Sequence, residues 1–544
     1  MKKRTFWLWA AALTLLRLAL AWSQQGYTWV GGAPLDDELM FRAAQSISRW
    51  EWLGPYDYLT LSKAMFYPLW LALLHLLHLP VLVGAAALWC GAALLAARAF
   101  QPMLKDNGRM LILYALLAFA PSSWASYTLR IYRDQIFPAL CLLFFAGMCG
   151  ALLRAVFYTR QQAALWPWLI AAGLGLAGGY LDREDAGLFL VPFAVLGSAA
   201  MLVVLARQKR WLCMAAQAIP YALLAAGVAV FCGMNGLFYG AFTLSDFSAG
   251  AFADAMGAMS RVATDSTDPL LSVPADARQK LYDAVPELQP LQYWLEEDPQ
   301  LQNDFRDPVR EDYRAGSFYW AIRRAAQFEG VYETPQTAES YWRTVADKVN
   351  AACDDGTLPA RGGQRSGTTQ PIRGSYVLPT LGETGKGLVH TLLFLDCKPY
   401  ESARSIGTEE DMALWSGYLH EDFNAAAEAG KDTPYYSPRQ KLLFGVMEVW
   451  WFFLYALTMV VAFVCALVWF VQMLPAAFAS GSRRRIVPWF LLLALLGAAL
   501  LRCAMIAFVE VSSFGIGTAT MYLATVHPLL ILFTAVTHLQ KEEL

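Results

Sequence analysis

The chain reads as an α-helical polytopic membrane protein, on three observations. Hydrophobic residues make up 57% of its 544 residues and charged residues only 16%, where a soluble chain carries about 25%. Eleven apolar runs recur along it, most near the roughly 20 residues needed to cross about 30 Å of hydrocarbon. Charge is also segregated. Residues 241–440 hold 30 of the 44 acids and 18 of the 42 bases, a net of −12 against +10 elsewhere. Disorder, a collagen-like chain and a disulfide-stapled secreted scaffold are excluded. A basic membrane body carries an acidic, water-soluble insert of one domain's size. That insert presents no basic aromatic face for nucleic acid.

The runs are 6–22, 63–79, 81–100, 110–127, 135–153, 163–180, 187–206, 211–236, 442–472, 486–508 and 517–538. Lys2, Lys3 and Arg4 place the N-terminus in the cytoplasm. If 63–79 crossed, Arg98, Lys105 and Arg109 would fall outside. If it lies in the outer interface, that cluster falls inside, as do Arg154 with Arg160, Arg207 to Arg210, Arg483 to Arg485 and Lys541. Lys63, Pro68, His75 and His78 suit an interfacial helix. The prediction is about ten transmembrane helices plus one juxtamembrane helix, with both termini cytoplasmic. A cleavable signal peptide ending at Ala19-Leu20-Ala21 is the competing reading; Arg17 interrupts its apolar core.

Three parts follow: an N-terminal transmembrane module over 1–240, an extracytoplasmic soluble domain over 241–440, and C-terminal transmembrane helices over 441–544. Within the insert, 276–299, 309–328 and 336–352 read as helical. The Gly-, Pro- and Thr-rich stretch 354–390 reads as loop with short strands, giving an α+β insert. Cys353 and Cys397 are the insert's two cysteines, and a disulfide between them is open outside the cytoplasm. The remaining cysteines lie in or beside the apolar runs as packing residues. No C-x-x-C or H-E-x-x-H metal motif occurs.

The outer loops carry charges at the ends of hydrophobic helices. The first has Asp36-Asp37-Glu38 after Gly31-Gly32-Ala33-Pro34, the second Arg130-Ile131-Tyr132-Arg133-Asp134, and the third Asp182-Arg183-Glu184-Asp185. Charges there are most easily kept around a hydrated cavity. Arginine binds phosphate through a planar fork, and a carboxylate can accept a proton from an attacking hydroxyl. Together they suggest an active site for a phosphate-bearing, lipid-anchored substrate. The plainer readings are a solvated acidic loop, arginines anchored to headgroups, and an internally paired turn at 182–185. Arg17, Arg502 and Glu510 sit near outer helix ends as snorkelling or paired residues. His527 lies within the last run, as a functional candidate or part of a His527-Pro528 kink.

The acidic loop after helix one, with Trp52-Leu53-Gly54-Pro55-Tyr56, Thr60-Leu61-Ser62-Lys63 and Tyr67-Pro68, resembles a bacterial branch of the GT-C glycosyltransferases. These are polytopic enzymes that use polyprenyl-phosphate sugars. The resemblance covers roughly residues 1–200. It implies a GT-C-like fold and inverting sugar transfer from a polyprenyl-phosphate donor to a glycan, lipid or protein acceptor. The setting would be the outer face of a bacterial inner (plasma) membrane. Asp36 would be the catalytic base, with Asp37 the alternative, orienting or metal-binding. Asp134 corresponds to a second carboxylate. Lys63, Arg130 and Arg133 are the implied phosphate binders. Glu184 or Asp185 would contact sugar or acceptor, and Glu38, Arg183 and His527 complete the candidate substrate site. A divalent ion (Mg2+ or Mn2+) is left open, with Asp36, Asp37 and Asp134 as its carboxylates. The Asp-Asp-Glu loop and the lack of a trefoil pattern depart from protein-mannosylating members. The insert is expected to roof the site, with Trp294, Trp320, Trp342 and Trp415 as core or sugar-stacking residues. Other readings are a membrane glycan or polymer ligase, a transporter or flippase, and a non-enzymatic scaffold.

Overall fold

The computed structural model describes all residues except 32–33, 159–161, 362–366, 369–371, 399–404, 424–437, 480–481, 516, 518 and 542–544. Gly32, Ala33 and Arg160 thus lie outside the described residues. The body begins with α1 (Lys3–Ser23), α2 (Leu39–Ser48), α3 (Phe66–Leu76), α4 (Val81–Ala99) and α5 (Asn107–Ala118). It continues with α6 (Phe137–Phe157), α7 (Trp166–Asp182), α8 (Ala186–Arg207), α9 (Trp211–Ala215) and α10 (Ile219–Tyr239). The insert contains α11 (Ala251–Met259), α12 (Ala275–Ala284), α13 (Gln289–Glu296), α14 (Pro299–Phe305), α15 (Ala315–Phe328), α16 (Pro335–Asp354), α17 (Gly374–Leu392) and α18 (Glu409–Leu419). The chain returns through α19 (Pro438–Val449), α20 (Leu457–Ala479), α21 (Arg483–Val509), α22 (Ala519–Tyr522) and α23 (Val526–Leu539).

Among the described residues, seven helical stretches are long and apolar enough to cross a membrane. They are α1, α4, α6, α8, α9 with α10, Leu442–Ala479, and α21 with its extension to Phe514. The other three expected spans are shorter: α5, α7 and α23 have 12, 17 and 14 residues, about 18–26 Å at 1.5 Å per residue. Proline sets these limits. Pro121 follows the end of α5, while Pro167 and Pro528 sit in the first turns of α7 and α23, where a missing N–H is tolerated. The juxtamembrane segment α3 has 11 residues, about 16 Å at the same rise.

The basic residues gather at one end. Arg109 Nη1 donates to the Leu539 and Gln540 carbonyls at 3.0 and 2.7 Å, and Lys541 Nζ to the Pro102 carbonyl at 3.0 Å. Arg154 Nη2 donates to the Arg98 carbonyl at 2.6 Å, and the Met1 amino group lies 3.7 Å from Asp106. Residue 1 and Lys541 therefore share this end, opposite the acidic loops. Exposed Trp7, Trp9, Trp166 and Trp211 mark the basic end, and Trp22 and Trp50 the other, as in aromatic girdles.

Small residues allow the body to pack closely. A Cβ on Gly147 would lie 2.3 Å from the Ala172 nitrogen, and one on Gly175 would lie 2.4 Å from the Phe144 nitrogen. Helices α6 and α7 therefore meet backbone to backbone. Close approach is favoured where lipid supplies no hydrophobic drive for helices to associate.

The insert differs from expectation. Its own core spans Ala251–Leu358 around Phe252, Phe318 and Trp342. Among the described residues the insert is helical with isolated bridges such as Val262 to Ala360, so the α+β reading is corrected. Much of the supposed strand region forms α17, despite Pro379. There Tyr376 meets Phe508 at 6.2 Å, and Leu388 and Leu392 pack on the body's core. Tertiary packing overrides the weak helix propensity of its glycines. The disulfide reading is also corrected. Cys353 belongs to the insert's core and Cys397 to the body's core, with no disulfide between them.

Replacing Gly175 by Leu forces α6 from α7 and costs about 1–3 kcal/mol or more. In detergent, Gly175→Leu should lower the thermal midpoint or lose the monodisperse peak. Gly233→Ala, with open space around its Cβ position, should leave both unchanged.

Candidate active site

The site begins with an extended segment held on both sides. The Tyr27 N–H donates to the Leu129 carbonyl at 2.9 Å and the Ile131 N–H to the Tyr27 carbonyl at 3.0 Å. On the other side, Val30 N–H donates to Ile406 and Ile406 N–H to Thr28, both at 2.8 Å. The first loop thus lies between the second loop and the insert. It enters α2 through a π-helical turn, Pro34–Glu38, that carries the acids. The insert clamps α2: Trp415 stacks on Phe41 at 3.9 Å, and Tyr418 Oη donates to the Ala44 carbonyl at 2.7 Å.

Asp37 is fully buried. Arg130 grips it with Nε at 2.9 Å and Nη2 at 2.6 Å from Oδ1, and the Trp29 N–H donates to Oδ2 at 3.0 Å. Arg130 itself lies between the Trp29 and Tyr132 rings, 4.3 and 4.9 Å from their centroids. Asp36 points to the other side. It pairs with Lys63, accepts from Tyr132 Oη at 2.9 Å, and lies 3.8 Å from Arg130 Nη2. Burial would raise the Asp36 pKa, but the Lys63 ammonium, with Arg130 and the Tyr132 hydroxyl, holds it well below the usual carboxylate range. Asp37 moves oppositely: burial pushes it up to about 6 against the pull of Arg130.

The other loops complete a charged layer. Arg133 Nη1 donates to Glu184 at 2.7 and 2.9 Å, and its Nε to Tyr132 Oη at 3.1 Å. Arg183 joins Asp134 at 2.5 Å and Asp185 at 2.9 Å. Arg502 reaches across from α21 to Asp185 at 2.5 Å. Five carboxylates (Asp36, Asp37, Asp134, Glu184, Asp185) therefore face five cations (Lys63, Arg130, Arg133, Arg183, Arg502). Asp182 stands apart. It is fully buried, and neither carboxyl oxygen has a partner among the described residues.

Most of the predicted set is thus brought together. Glu38 lies at the edge, accepting from the Gly31 N–H at 3.4 Å and 4.0 Å from Arg42. His527 is not brought into the layer by its contacts. It stacks on Phe394 at 4.9 Å and approaches Cys397 at 3.7 Å. Of the four tryptophans, Trp342 and Trp415 are core residues, and Trp294 donates to Glu329 at 2.7 Å. Trp320 is half-buried, with Lys63 Nζ 5.2 Å from its ring. Tyr132 joins Asp36, Lys63 and Arg133 through one hydroxyl. Sequence reasoning missed that role; the signal available was its place inside the Arg-Ile-Tyr-Arg-Asp run.

The three candidate metal-binding acids are each paired with a cation. Asp36 is taken by Lys63, Asp37 by the Arg130 fork and Asp134 by Arg183, and no group of three metal-ligating residues occurs among the described residues. No protein-family model matches the chain, and neither does any curated protein. Among solved structures, the crystal structure of ArnT from Cupriavidus metallidurans in the apo state matches 98% of this chain and 78% of that one. The identity is 12% and the TM-score 0.31, too distant a superposition to assign family or residue roles.

Breaking a buried ion pair costs about 3–5 kcal/mol by stranding its partner. Asp185→Leu should therefore lower the thermal midpoint sharply, because it strands Arg502 while Arg183 keeps Asp134. Adding Arg502→Met should recover part of the loss, measured as a double-mutant cycle.

Proposed function

We propose that this protein is a membrane glycosyltransferase of GT-C type. It transfers a sugar from a polyprenyl-phosphate donor to an acceptor hydroxyl at the outer face of a bacterial cell membrane. The observation that carries this reading is the state of Asp36. It is the most exposed carboxylate of the layer, at 35%, and its closest partner is a lysine rather than a guanidinium fork. Asp37 is enclosed by Arg130 and cannot reach a substrate without breaking that fork.

In this mechanism the donor's tail stays in the bilayer and its phosphate approaches Lys63. The phosphate competes with Asp36 for the ammonium. Once Lys63 turns to the phosphate, Asp36 loses the charge that depresses its pKa and becomes a better base. It takes the acceptor hydroxyl's proton while that oxygen attacks the anomeric carbon opposite the phosphate. The bond from carbon to phosphate oxygen breaks, and the phosphate leaves with the electron pair. Lys63 stabilises the charge growing there. The configuration inverts. The Trp320 ring, stacked on Phe247 at 4.6 Å, brings the insert beside Lys63.

Asp36→Asn should lower sugar transfer from a decaprenyl-phosphate donor in proteoliposomes by about 10²–10⁴-fold, with donor binding retained; a wild-type rate would refute the base assignment. Transfer should also fall as pH drops through about 6, where Asp37 takes a proton and loosens Arg130. The rate–pH profile checks this, and Asp37→Asn should remove that limb.

A further inference from the structure

Every cation of the outer layer has an acid, but Arg17 does not. It lies on α1, six residues before the helix ends at Ser23, about 9 Å inside that end at 1.5 Å per residue. Its relative exposure is 2%. Nη2 donates to the Ser123 carbonyl at 2.6 Å, while Nε and Nη1 have no partner among the described residues. No carboxylate there lies within ion-pair distance of it. A guanidinium does not shed its proton in a protein, and an unmatched buried charge is costly.

The side chain lines a cavity between α1, α4 and the second outer loop, with Gln24, Ser122, Thr128 and Gln135 beside it. The Ser122 hydroxyl is likewise buried without a partner. The cavity has about 40 Å³ open to water-sized groups. That suits a small anionic group better than a sugar. Arg17 and Ala21 lie on the buried face of α1, so the cavity opens between that face and α4 near the outer end of the helix.

We propose that the Arg17 cavity is an anion site for one phosphate group, separate from the Asp36–Lys63 pair. Two guanidinium N–H groups and the Ser122 hydroxyl receive its oxygens, and the phosphate supplies the charge that Arg17 lacks. A membrane lipid headgroup and free phosphate share this chemistry. The site rests on unmatched charge and not on the transferase reading.

Binding to the full-length protein in detergent tests it by native mass spectrometry, with dioleoyl phosphatidic acid, dioleoylglycerol and inorganic phosphate as probes. Wild type should prefer phosphatidic acid over dioleoylglycerol by about tenfold, the equivalent of one charge-assisted contact. Arg17→Gln should erase that preference, and Arg17→Lys should keep most of it. Arg17-dependent binding of inorganic phosphate in place of the lipid would support the site and assign it to the free ion. A preference unchanged in Arg17→Gln overturns the proposal. If that variant does not fold, equal binding of both lipids, with no phosphate binding, by wild type overturns it instead.

Discussion

The Arg130 fork on Asp37 ties the first outer loop to the second, and the rest of the outer layer is arranged around it. A buried carboxylate is tolerable only with such a partner, and the partner only with the carboxylate. The fork draws residues 26–30 along the second loop, and Ile406 of the insert hydrogen-bonds the other side. Its neighbour Asp36 is turned outward by the same backbone, toward Lys63 and Tyr132. One interaction thus leaves the two adjacent acids in different settings, Asp37 enclosed and Asp36 partly exposed.

Charge matching extends this logic through the layer. Arg133, Arg183 and Arg502 take Glu184, Asp134 and Asp185 from three parts of the chain. α7 brings Asp182 and Arg183 to the same end as Asp134 because it packs closely against α6 at Gly147 and Gly175. A layer balanced in this way holds little spare charge for a substrate. On the proposed reading the phosphate of an incoming donor competes for a cation, and Lys63 is the ammonium among them, held by the most exposed acid. A flexible ammonium can exchange partners without breaking a planar fork.

Much of this was legible in the chain. Basic clusters separated the ends, and placing 63–79 in the interface kept all of them on one side; that run forms the 11-residue α3. The acidic and arginine-rich loops pointed to each other because each follows or precedes an apolar helix. Pairing was not legible. Nothing in the sequence matches Arg502 with Asp185, 317 positions away, since that contact depends on how α21 packs. Nor was the shape of 374–392, where glycines suggested loop and packing against α21 made helix. His527 had the composition of a site residue, yet its partners Phe394 and Cys397 come from the insert and make a buried contact of their own.

On the proposed mechanism Lys63 exchanges Asp36 for the donor phosphate. A structure with a polyprenyl phosphonate sugar, a donor analogue whose bond cannot be displaced, shows whether it does. Lys63 Nζ should lie on the phosphonate oxygens, with Asp36 released and facing the anomeric carbon. An intact Lys63–Asp36 pair, with the phosphonate more than about 10 Å away, roughly a helix diameter, would rule the exchange out.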